Sequence, residues 1–90
     1  MIPPRVVYSY DMPTRREQLL LKRDAMRALV RAAGLAAEDC IEAAVASANA
    51  LHLRTAWRQT REAWTHWQVC YEAARCEREC ERELAAMEAS

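Results

Sequence analysis

The sequence predicts an all-α protein: an extended N-terminal arm, then a helical hairpin or three-helix bundle with one long C-terminal helix. Three observations carry this. Gly34 is the only glycine, and Pro3, Pro4 and Pro13 are the only prolines, so no breaker interrupts Leu35 to Ser90. Alanine, arginine, glutamate and leucine, all good helix formers, dominate that stretch. Apolar residues recur at intervals of three and four, the helical period. The 90 residues make a single domain, 1–90, whose own core is modest for its surface.

Residues 1–13, MIPPRVVYSYDMP, read as the arm. Two prolines fix an extended start, and Val6, Tyr8 and Tyr10 alternate with Val7 and Ser9 as in a strand. One short strand makes no sheet, so the arm is expected to lie on the helices or to add to the edge of a partner's sheet.

A first helix is expected over 14–33. Thr14 and Glu17 form a T-x-x-E capping box, and Gly34 suits the left-handed position that ends a helix. At about 100° per residue, Leu19, Met26, Leu29, Val30 and Ala33 share one stripe and Arg16, Arg23, Arg27 and Arg31 another. Ala25, Ala28 and Ala32 make a third face, where another helix could approach closely.

The rest, 36–88, reads as a long helix with a possible break near 47–55. Ile41, Ala44, Val45, Ala48 and Leu51 set one seam. Leu53, Trp57, Thr60, Trp64, Trp67, Tyr71 and Ala74 set a heptad seam at alternating steps of four and three. The two seams are out of phase, and the weak helix formers Ser47 and Asn49 precede the mismatch.

Charge and chemistry narrow the function. The net charge is zero but graded: +4 over 1–34, −1 over 35–71 and −3 over 72–90. A nucleic-acid binder usually carries a basic excess, so nucleic acid is not the expected partner; the arginine stripe is left as a solvated face or as a surface for phosphate or an acidic partner. Twelve of the 13 cations are arginine, which with the many alanines suggests a GC-rich coding source, such as some bacteria or their phages. No stretch has the ~18–20 apolar residues of a membrane span, and MIPPR lacks a signal peptide's apolar core, so a cytoplasmic protein with reduced thiols is expected.

No metal, cofactor or catalytic group is expected. In CERECERE, residues 76–83, Cys76 and Cys80 share a helix face, but a zinc site or paired disulfides need a second matched pair, and Cys40 and Cys70 do not form one. His66 and Cys70 lie about 15 Å farther along the helix, too far to share one ion on a straight rod. One glycine excludes a phosphate-binding loop, and His52 and His66 fall on what otherwise reads as packing surface.

The distinctive signal is WRQTREAWTHWQVCY, residues 57–71, which holds all three tryptophans of a chain without phenylalanine. Trp57, Trp64, Trp67 and Tyr71 point the same way on a helix. If the first helix folds back after Gly34 it covers about 36–55, so Trp57, at the edge, is expected to be core. Trp64, Trp67 and Tyr71 lie beyond it, and with Leu53 and Trp57 they form the candidate partner-binding residues. The expected role is a non-enzymatic interaction module that docks on another protein, on a second copy of itself, or on both. A nucleic-acid-associated regulator or a structural coiled-coil subunit is the alternative.

Overall fold

The computed structural model describes residues 12–89, which form two helices: α1, Arg15–Asn49, and α2, Leu53–Ala89. They are about equally long, roughly 52–56 Å at 1.5 Å per residue, and fold on each other as an antiparallel hairpin. The expectation of an arm at 1–13 falls almost wholly outside the described residues.

The start of α1 follows its sequence signature. The Glu17 N–H donates to Thr14 Oγ1 at 3.2 Å, and the Thr14 N–H donates to Glu17 Oε1 at 3.2 Å. Each group satisfies a donor that the first helical turn leaves open. The Thr14 N–H foremost, and the Thr14 hydroxyl, which donates to the same carboxylate oxygen at 3.0 Å, hold the Glu17 pKa below its ordinary value.

The end of α1 departs from expectation. Gly34 does not close the helix; α1 runs through it and ends 15 residues later. The left-handed residue is Leu51, with φ 64°. Its N–H donates to the Ala48 carbonyl at 2.9 Å, and the His52 N–H donates to the Ser47 carbonyl at 2.8 Å. Those two bonds define a Schellman motif, with Leu51 where glycine usually stands. The chain reverses over Ala50–His52, and α2 opens with the Ala56 N–H donating to the His52 carbonyl at 2.9 Å. There is one reversal, so the fold is a hairpin and not a three-helix bundle.

Both helices carry an uninterrupted heptad seam. On α1 it runs through Leu19, Arg23, Met26, Val30, Ala33, Ala37, Cys40, Ala44 and Ser47, each buried or half-buried. On α2 it runs through Ala56, Gln59, Ala63, His66, Cys70, Ala73, Glu77, Cys80 and Leu84, again each buried or half-buried. Steps of three and four alternate throughout, the pattern of a two-stranded coiled coil. The register follows from three places: Leu19 packs with Cys80 and Leu84, the Cys70 thiol donates to the Val30 carbonyl at 3.6 Å, and Ser47 meets Gln59 at 2.8 Å. With its amide nitrogen on that side, Gln59 donates both to Ser47 Oγ and to the Ala43 carbonyl 3.1 Å away.

This seam explains why Gly34 is no terminator. Glycine inside a helix costs about 0.5–1 kcal/mol relative to alanine. Ending α1 there would forfeit the contacts of Ala37, Cys40, Ala44 and Ser47. The small face expected at Ala25, Ala28 and Ala32 is exposed; the alanines that meet α2 are Ala33, Ala37 and Ala44. Leu29, expected on the core stripe, is also exposed.

A candidate docking face beside the seam

The aromatic residues stand one position after the seam. Trp57, Thr60, Trp64, Trp67, Tyr71 and Ala74 follow Ala56, Gln59, Ala63, His66, Cys70 and Ala73 in turn. One residue is about 100° of rotation, which carries a side chain from the helix interface to the flank. The alanine seam and the aromatic stripe are thus two parallel heptad tracks on one helix, and the hairpin uses the small one.

The rings are left uncovered. Trp57 is 66% exposed, Trp64 60%, Trp67 46% and Tyr71 64%, and Leu53 beside them is exposed as well. Trp57 is therefore not core: the turn at Ala50–His52 brings Ser47 opposite its part of α2, and Ser47 meets the seam beside it at Gln59. Trp67 is the most covered ring because it borders the groove between the helices, which it lines with Glu38, Ile41 and Glu42 of α1. Trp57 and Trp64 wall one notch together with Arg58, Thr60 and Arg61, and Trp64, Trp67 and Tyr71 wall a second, of ≈ 590 Å³, with Gln68 and Glu72.

The α1 side of this face follows from the antiparallel arrangement. One step past the seam points to the same side of the hairpin on both helices. On α1 those positions include Asp24, Arg27, Arg31, Gly34, Glu38, Ile41, Val45 and Ala48. The face is thus bulky and aromatic along α2 and, apart from Glu38, small or aliphatic along the turn-proximal half of α1. Its four rings leave on the order of 400–600 Å² of apolar surface wet, at about 150–250 Å² per ring. That matches the largest apolar patch of a typical monomer, and Leu53, Ile41 and Val45 extend it.

The arginine stripe does not present a free basic surface. Arg27 donates from Nε to Glu77 Oε2 at 2.8 Å, and this bond and the nearby negative charge raise its already high pKa further. Arg16 lies 3.9 Å from Glu88, and Arg23 pairs with Asp24 at 3.1 Å. Arg15, outside the expected stripe, donates to Glu83 at 2.7 Å. Arg31 is the stripe residue without an ion pair among the described residues. The sequence gradient, basic start against acidic end, is thus spent largely across the open end of the hairpin.

The thiols and histidines do not converge. Cys40, Cys70, Cys76 and Cys80 are all free, and among the described residues no three groups able to bind a metal cluster. Cys80 is buried against Leu19, His66 is half-buried in the seam, and His52 is exposed at the turn. No helix among the described residues is long and apolar enough to cross a membrane.

Comparison of the chain with known protein families, curated proteins and solved structures finds no match.

Proposed function

We propose that this chain is a non-enzymatic protein-interaction module that regulates or blocks a partner by docking through the aromatic face of α2. The observation that carries the reading is the separation of bulk from burial. All three tryptophans and Tyr71 lie on the flank, while eight small or aliphatic residues, five of them alanine, make up the buried core. Large aromatics dominate interface energetics, and an exposed row of them on a rigid helix is already arranged for binding. On size and composition, a phage-type inhibitor of a host protein is one form this role takes.

The nucleic-acid reading loses support because Arg16, Arg23 and Arg27 each face a carboxylate, which lowers the net field available to phosphate. A structural coiled-coil subunit would use the same face without a foreign partner. The deciding experiment is capture from a lysate of the source cells with the wild-type chain, Trp64→Ala and Trp67→Ala, followed by affinity measurement on the purified partner. A loss of about 2 kcal/mol or more for either variant is expected, the size of an interface hot spot. Equal retention by all three would move the site off the stripe.

A further inference from the structure

We infer that the aromatic face is covered by a second copy of the chain, with α2 of each copy lying on α1 of the other to form a two-fold-symmetric antiparallel four-helix bundle. This rests on the reading of the stripe as a docking surface and names its resident occupant, which a foreign partner docking on the same face would displace.

The monomer is short of a core. No large side chain is fully buried among the described residues, and alanine contributes little transfer free energy. Two faces of this kind brought together bury on the order of 1,400 Å², within the range of stable specific interfaces.

The face itself selects the arrangement. A two-fold axis parallel to the helices sets α2 over α1 of the second copy in the register already used within the hairpin. Bulk then meets space at three of the four rings: Trp57 falls over Val45 and Ala48 of the second copy, Trp64 over its Ile41, and Tyr71 over its Gly34, while Trp67 comes level with its Glu38. Charge agrees. Arg61, on the outer edge of α2, comes level with Glu42 of the second copy, and Arg78 with its Asp24. Arg31, unpaired in the hairpin, comes level with Tyr71 of the second copy, where a guanidinium can lie on the ring. Symmetry makes every such contact twice. The competing arrangement, α2 on α2 about Trp64, sets Arg54 level with Arg75 of the second copy and Trp57 level with its Tyr71, so that ring meets ring and not space.

Sedimentation equilibrium on the full chain tests this, with Arg61→Glu, Glu42→Arg and the double variant. Both positions are exposed in the hairpin, so helicity at dilution should be unchanged. The wild type is expected at twice 10.3 kDa at micromolar concentration. Each single reversal should weaken dimerisation about tenfold, since it makes two attractive pairs repulsive, and the double variant should recover to within about threefold of wild type. A monomer at all concentrations overturns self-pairing; if Trp64→Ala still abolishes capture of a foreign protein, the docking face survives that failure. A dimer that ignores both reversals, or a double variant no better than the singles, overturns the arrangement of α2 on α1. A dimer unaffected by Trp64→Ala and Trp67→Ala overturns both readings.

Discussion

Ala63 is fully buried and Trp64, the next residue, is 60% exposed. The roughly 100° between them separates two surfaces with different work: one holds α1 and α2 together, the other stays available. Substitutions at the two positions should therefore have opposite effects. Ala63→Leu forces extra methylenes into a closed seam and should lower folding stability by about 1–3 kcal/mol. Trp64→Ala should change the stability of the dissociated chain by less than about 0.5 kcal/mol, as surface substitutions do, while weakening association by about 2 kcal/mol or more. Denaturant melts at a dilution where chains are separate, beside a dilution series, read both. Trp57→Ala should behave like Trp64→Ala; a large loss of monomer stability at either would show that the stripe is internal.

The helix start offers a test by pH. The Glu17 carboxylate is held below its ordinary pKa of 4.5 by its bonds to Thr14. A folded pKa that is depressed gives stability that is present in full above the unfolded value and lost as pH falls through the folded one. The wild type should lose this contribution below about pH 4.5, and Glu17→Gln should flatten that part of the acid profile. Thr14→Ala removes the cap itself and should cost about 1 kcal/mol at neutral pH. Thermal melts from pH 7 downward on the three proteins check both outcomes.

Much of the fold was legible, in particular the all-α class, the capping box and the phase mismatch near residue 50. The internal seam was harder to see. Ala63, Ala73, Cys70, His66 and Gln59 carry little hydrophobic weight beside the tryptophans one step away, so the heavier track masked the lighter one. The strict alternation of three and four running from Leu19 to Ser47 and again from Ala56 to Leu84 was the available signal. The length of α1 was not legible locally, because the preference of Gly34 for a helix end is outweighed by the contacts that Ala37, Cys40, Ala44 and Ser47 make with α2, on the far side of the turn. The position of Trp57 followed from that misplaced end: the helix that reverses after Asn49 covers α2 along its alanine track, not its aromatic one.

Gly34 should be open to improvement. An added Cβ meets nothing within 4 Å, and its φ is not in the left-handed region. Gly34→Ala should stabilise the dissociated hairpin by about 0.5–1 kcal/mol, since alanine loses less conformational freedom in a helix. If Tyr71 of a second copy rests over Gly34, the same substitution should weaken association while strengthening the monomer. Melts at two concentrations separate the effects; a uniform gain at both would show that nothing approaches the backbone there.

Leu51 is the opposite case, a side chain where the backbone favours none. Its φ of 64° places Cβ close to the following carbonyl oxygen, at a cost of roughly 1–2 kcal/mol for a residue other than glycine. The leucine recovers little of this by burial, being 80% exposed. The two Schellman bonds, from Leu51 to Ala48 and from His52 to Ser47, use backbone atoms alone and survive any side chain at this position. Leu51→Gly should therefore keep the turn and raise stability by up to about 1 kcal/mol, the relief being partly offset by the greater freedom of glycine in the unfolded chain. Leu51→Val should do the reverse, because branching at Cβ tightens the clash. Chemical denaturation of the three proteins at equal low concentration gives the order; a stability ranking with valine above glycine would mean that the chain turns at some other residue.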